Sequence, residues 1–367
     1  MNKPKKNNQI IYILFIITIT FFFINQLFTN DNSKDSYSPE QLIQIQLSKD
    51  NMLSALNVVK TNKVSKGITI DAEKDPNQTG LIGNEYSMIT TTMGHLDAKR
   101  TSVNPDMAAL ICTIFINEGL EDGDSVAIGS SASFPGLLLA TLSACKTLNL
   151  HPITIVSFGA SQYGANETDF TIIEILKSIE DAFGDYFKPS AISYGGNHDI
   201  ADDLTEEARR FISNSIQNSD YPLIYESDFK ANVETRMKLY DNEAKNKVKM
   251  FVNIGGSVSN MGNSPEILNL KPGLNKNIEN IPTKEKRGVL FEFALRKTPI
   301  LHLLYMKGLS IRYGLIWDPI PFKEDSHKSF YQTNSHEKER YLLFFFVFIG
   351  SILSSIIAGK LFLHSKL

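Results

Sequence analysis

The sequence predicts an α/β domain on a mostly parallel, doubly wound (Rossmann-like) sheet, held outside the cytoplasm between two transmembrane helices. Three observations predict this. Short apolar runs of strand character alternate four times with segments of helical period. Each of those strands ends in a loop of glycines and small polar residues. An uncharged apolar run lies near each terminus. With 367 residues the chain can bury a large core as one domain or two modest ones, and a formal net charge of −3 gives no basic footprint for nucleic acid.

The first apolar run, Ile10 to Phe28, lies in an uncharged stretch between Lys6 and Asp31, and is long enough to cross a hydrocarbon core of about 30 Å. It continues into Asn25 and Gln26 without a small-residue cleavage site, which favours a retained anchor over a cleaved signal peptide. Lys3, Lys5 and Lys6 place the N-terminus in the cytoplasm. The second run, Tyr341 to Gly359, returns the chain to Lys360 and Lys366, with Lys338 and Arg340 on its outer side. The predicted organisation is a cytoplasmic N-terminus (1–9), a span (10–29), an extracytoplasmic domain (30–316), a linker (317–340), a second span (341–360) and a cytoplasmic tail (361–367) in the cell (inner) membrane.

Within the domain, Ser38-Pro39-Glu40-Gln41 opens a helix that continues past Leu56. Residues 71–105 are irregular and rich in Thr, Asn and Gly, too long for a plain connection. Asn104-Pro105-Asp106 opens a helix through Glu118. Strands are expected at Ser125–Ile128, Ile153–Phe158, Ala191–Tyr194 and Lys249–Ile254, and helices at Pro135–Leu148, Phe170–Phe183, Thr205–Ile216 and Asp228–Lys247. The apolar stretch Arg287–Ile316 reads as one or two helices. Cys112 and Cys145 sit in apolar, helix-like text, where free cysteine behaves as a small buried hydrophobe; a disulfide between them is the other reading for a domain outside the cytoplasm.

In an open parallel sheet the loops leaving the strands' carboxyl ends share one edge, where ligands bind. Here they are "GSSAS" (Gly129–Ser133), "FGASQYGANE" (Phe158–Glu167), "YGGNHD" (Tyr194–Asp199) and "IGGSVSN" (Ile254–Asn260). Their small residues admit a ligand to the backbone, and the helix starts behind them offer N–H donors to an anion. The candidate ligand-binding residues are Gly129, Ser130, Gly159, Ser161, Asn166, Gly195, Asn197, Gly255, Gly256 and Ser257, with Lys99 and Arg100 from the irregular segment as cations for an anionic partner.

Two further chemistries compete with simple binding. Ser131 or Ser133 at a strand-to-helix turn resembles a nucleophile elbow, with His198 beside Asp199 as the base; the same serines are suited to capping the helix that follows. His95, His198, Asp199, Glu167 and Asp169 are metal-ligating types, but no two histidines show ligand spacing, so no metal is assigned. Neither a Walker lysine nor a G-x-G-x-x-G fingerprint is present, and the cofactor is left unknown.

Four phrases, Thr79–Ala109, Gly123–Ala140, Ser157–Glu174 and Phe251–Gly262, resemble in order the poly-γ-glutamate system protein family. Its strand ends run close to G-x-S-G-S-F-P and G-A-S-x-W-G-A-N. Ser131, Ser133, Phe134 and Pro135 match the first, and Gly159, Ala160, Ser161, Gly164, Ala165 and Asn166 the second. Ala132 stands in place of a glycine and Tyr163 in place of the tryptophan. The resemblance implies a component of a bacterial membrane system that makes, exports or anchors poly-γ-glutamate, a capsule-type polymer, with the polymer or its synthesis and export machinery as partners. It implies no particular reaction. Two functions therefore stand as expectations: a non-catalytic accessory that binds the polymer or scaffolds the complex, and a serine-dependent hydrolase or transferase acting on it.

Overall fold

The computed structural model describes residues 18–19, 37–323, 345–350 and 352. The spans expected over 10–29 and 341–360 therefore lie for the most part outside the described residues, and among the described residues no helix is long and apolar enough to cross a membrane. The chain divides into two units, 1–38 with 331–367, and 39–330. The second carries all the elements below.

In chain order these are α1 (Pro39–Ser65), β1 (Thr90–Thr92), α2 (Leu96–Ser102), α3 (Asp106–Asn117), β2 (Ser125–Ser131), α4 (Pro135–Thr147), β3 (His151–Ser157), β4 (Ala160–Ser161), β5 (Asn166–Glu167), β6 (Phe170–Thr171) and α5 (Ile172–Phe183). They continue with β7 (Ala191–Ser193), α6 (Glu206–Gln217), β8 (Leu223–Ile224), α7 (Phe229–Glu243), β9 (Met250–Ile254), α8 (Val258–Met261), β10 (Gly273–Asn275), α9 (Val289–Leu295), β11 (Ile300–Leu303) and α10 (Met306–Tyr313). The main sheet has the order β10-β11-β9-β2-β3-β7-β8, parallel throughout except for β10 at one edge. The four strands expected from the alternation are β2, β3, β7 and β9, and they pair as the core of this sheet.

β2 is buried along its whole length because it is covered on both faces, and its side chains alternate between them. On the face shared by Ala127, Ile153, Ile155 and Phe251 lies a core formed with Val233, Met237 and Tyr240 of α7 and with the apolar face of α9. The Phe251 and Phe293 rings stack with centroids 5.0 Å apart, and the Tyr240 hydroxyl donates to the Ile128 carbonyl at 2.9 Å. α4 packs on β2 and β3 and is itself covered by α1 and α3. That double cover explains why Pro135 through Cys145 are all buried in a helix with no polar face. Both cysteines are buried free thiols, and burial raises the Cys112 pKa to about 12.

The stretch Arg287–Ile316 departs from expectation. It holds two short helices, α9 and α10, with strand β11 between them. β11 is apolar without alternation because it pairs between β9 and β10, and such a run is indistinguishable from a buried helix by period alone. The irregular segment before α3 contributes β1, which pairs with β4, and α2. The expected linker begins as part of the domain: Asp318, Pro319 and Phe322 are hydrogen-bonded to α2 and to Asn77.

Beyond β7 the chain is pinned by a buried ion pair. Asp199 accepts from Arg236 at 2.5 Å, from Asn232 at 3.0 Å and from the Ser157 and Ser193 hydroxyls at 3.1 and 2.8 Å. Arg236 is fully buried and also bonds Asn232 and Ser193. Removing one partner would strand the other's charge without water, so Arg236→Met is expected to lower unfolding free energy by about 3–5 kcal/mol, with part recovered by adding Asp199→Leu. Denaturant unfolding of the two variants checks this; additive losses would contradict it.

Candidate functional site

The chain reverses its direction of sheet growth at β2. From β2 it winds outward through β3, β7 and β8, then returns with β9 against the opposite side of β2. Such a switch point in the strand order is where an open parallel sheet offers a crevice at its carboxyl edge. A cavity of about 830 Å³ lies there, walled by residues from all four predicted strand-end loops. The irregular segment 91–99 and the start of α10 complete it.

Ser131 ends β2 on the α7 face, and its hydroxyl is buried without a partner at the cavity wall. Gly255 faces it. The backbone there has φ of 81°, and a Cβ would lie 2.2 Å from Ser131 Oγ, so only glycine fits. Ser133, two residues on, accepts the Ser161 backbone N–H on its hydroxyl at 3.0 Å. Ser161 is presented by β4, and its hydroxyl lies 2.8 Å from Lys99 Nζ.

Lys99 is the chemically distinctive member. It comes from α2, is 2 % exposed, and points its amine at the Ser133 carbonyl oxygen, the Ser161 hydroxyl and the Phe134 ring, whose centroid is 3.7 Å away. Among the described residues it makes no ion pair. A charged amine among neutral groups in a dry site is disfavoured, and burial lowers its pKa to about 7. α2 is fixed from its far side: Arg100 forms a two-pronged pair with Asp318 at 2.6 and 2.5 Å, and the Asp318 N–H donates to Thr101.

The expected adjacent cation pair is thereby corrected. Successive residues on a helix point about 100° apart, so Lys99 faces the cavity while Arg100 is committed to Asp318 and does not line it. Of the other candidates, Ser131, Ser133, Gly159, Ser161, Gly195, Asn197, Gly256 and Ser257 all line the cavity. Gly255 backs it, as described.

Four are elsewhere. Ser130 points to the opposite sheet face and bonds only its neighbour's carbonyl. Gly129 abuts the Asn260 side chain, and Asn166 bonds Asn84 and Thr90 to hold the irregular segment. His198 is outside the cavity lining; its Nδ1 pairs with Asp202 at 2.6 Å on an exposed surface, and it meets neither Ser131 nor Ser133. The metal-ligating types are likewise dispersed: Glu167 pairs with Lys63 and Asp199 with Arg236. Among the described residues no group of three or more His, Cys, Asp or Glu is placed to hold a metal ion.

The remaining walls were not signalled by any motif, and they include two carboxylates, Asp97 and Asp203, which accept from the Ala98 and Asn197 backbone N–H groups. Val258, Leu304, Met306 and Trp317 are apolar, and Met93, Tyr305, His95 and Lys307 stand exposed at the cavity boundary. Leu304 to Lys307 follow β11, the strand that the sequence reads as helix.

Lys99 also makes a stability prediction. Its folded pKa of about 7 lies below the ordinary 10.5, so between those values the unfolded chain holds the extra proton and stability rises with pH. Relative to Lys99→Met, the wild-type chain is expected to gain stability steadily from pH 7 to 10.5 and to change little below pH 7, as read by denaturant unfolding across pH. A flat difference would contradict the burial of the amine.

Comparison with protein-family models, curated proteins and solved structures finds no match to this chain.

Proposed function

We propose that the chain is a membrane-anchored accessory component of a bacterial poly-γ-glutamate synthesis and export system, and that its strand-end cavity holds a segment of the polymer outside the cytoplasm. The observation that carries this reading is the cavity itself, whose boundary combines apolar walls, hydroxyls, the exposed Lys307 amine and, at Asp97 and Asp203, two carboxylates that would steer the polymer's own carboxylates towards Lys307. A γ-linked glutamate chain alternates an amide and two methylenes with a free carboxylate on each unit. The methylenes suit Leu304, Met306 and Trp317; the amides suit the Ser133 and Ser161 hydroxyls; and exposed Lys307 and His95 suit the carboxylates. The resemblance of Thr79–Ala109, Gly123–Ala140, Ser157–Glu174 and Phe251–Gly262 to the poly-γ-glutamate system proteins supports the same polymer. The two apolar runs at 10–29 and 341–360, with Lys3, Lys5 and Lys6 before the first, support anchoring with the domain on the outer side.

Detergent-solubilised full-length chain is expected to bind poly-γ-glutamate by calorimetry, more weakly as salt rises. Lys307→Gln should weaken binding about three- to five-fold, the effect of one exposed ion pair worth ~0.6–1 kcal/mol. Absence of binding, or binding indifferent to salt and to Lys307→Gln, would overturn the reading.

A further inference from the structure

We propose that Ser161 is a covalent nucleophile and Lys99 its general base, so that this cavity performs acyl transfer at an amide or ester carbonyl. This deepens the polymer reading and rests on it for the identity of the substrate alone; the dyad needs only a carbonyl carbon beside Ser161.

The geometry selects this pair over its neighbours. Ser161 Oγ is 2.8 Å from Lys99 Nζ, within proton-transfer reach, and both residues line the cavity. Lys99 reaches Ser133 at its backbone carbonyl, while the Ser133 hydroxyl is taken up by the Ser161 N–H. Among the described residues the Ser131 hydroxyl is buried without a hydrogen-bond partner, and the His198–Asp202 pair lies outside the cavity. Among the described residues Lys99 meets no carboxylate: its amine donates to the Ser133 carbonyl oxygen and lies over the Phe134 ring, so in the neutral amine that N–H bond to Ser133 leaves the lone pair free to take the Ser161 proton.

The step balances without a cofactor. As Ser161 Oγ bonds to the carbonyl carbon, its proton passes to the Lys99 amine. The carbon–nitrogen bond of the amide then breaks, and the Lys99 ammonium returns that proton to the departing amine. Water, or a second amine, attacks the acyl-serine; its proton passes through Lys99 to Ser161 Oγ as that bond breaks, giving an acid or a new amide.

The test uses the detergent-solubilised full-length chain with a fluorophosphonate, which bonds an activated serine oxygen to phosphorus and releases fluoride. Peptide mass spectrometry is expected to place one adduct on Ser161. The labelling rate should rise with pH to half its maximum near the Lys99 pKa of about 7. Ser161→Ala and Lys99→Met should each reduce labelling about 100-fold or more, the scale of a positioned general base. His198→Ala should leave it unchanged. An adduct on Ser131 or Ser133, equal labelling of Lys99→Met, or no adduct on the wild-type chain between pH about 6 and 9 would overturn the proposal. If Lys99→Met fails to fold, the site of the adduct and the wild-type pH profile still decide. The probe contains no glutamate, so labelling without polymer binding would remove only the polymer reading, and polymer binding without labelling only the dyad.

Discussion

The pairing of β9 with β2 is the constraint on which the rest of the molecule depends. β2 is already paired with β3 on its other side, so the returning strand reverses the direction in which the sheet grows. Two consequences follow from that one register. Gly129 and Asn253 lie opposite one another, and the loops beyond both strands meet at Ser131 and Gly255 before lining the cavity. The sheet's interior is thereby closed by large apolar side chains, while its carboxyl edge is left open and lined by small ones.

The open edge is costly to leave polar, and most of its polar atoms are paired. Ser157, Ser193, Asp199, Asn232 and Arg236 bond one another beneath the third loop, with only Arg236 Nη1 left unpartnered among the described residues, trading a buried charge for a fixed backbone. Lys99 is hydrogen-bonded too, but to neutral groups. Among the described residues its amine is buried without an ion-pair partner, a placement that lowers stability in its protonated form and that a purely structural role would resolve with a carboxylate. Destabilised groups of this kind concentrate where chemistry occurs, and here the group sits within hydrogen-bond distance of a hydroxyl in a cavity.

Much of this was legible in the sequence. Strand and helix alternation identified β2, β3, β7 and β9, because apolar runs of four to seven residues ending at glycine or serine have few other uses. The shared edge of their loops followed from parallel topology, and residues from all four loops line the cavity. Side-chain direction was less legible. Lys99 and Arg100 are neighbours in sequence but diverge on a helix, and the spacing Leu96, Lys99, Val103 was the available signal that Lys99 faces inward. Ser130 and Ser131 diverge for the strand version of the same reason. His198 next to Asp199 suggested a base, but the backbone there is left-handed at both residues, with φ of 51° and 64°, turning the acid into the core and leaving the imidazole in solvent. The Lys99–Ser161 pair spans 62 residues of sequence. Its contact depends on β1 pairing with β4, two strands of three and two residues that carry no periodic pattern.

The most direct test of the account is the titration of Lys99 itself, followed by the carbon resonance next to its amine in isotopically labelled chain, assigned by its loss in Lys99→Met. A midpoint near 7 is predicted for an amine buried among neutral groups. A midpoint at the ordinary lysine value of 10.5 would place the amine in water or beside a carboxylate, and would contradict both the geometry of the cavity and the chemistry drawn from it.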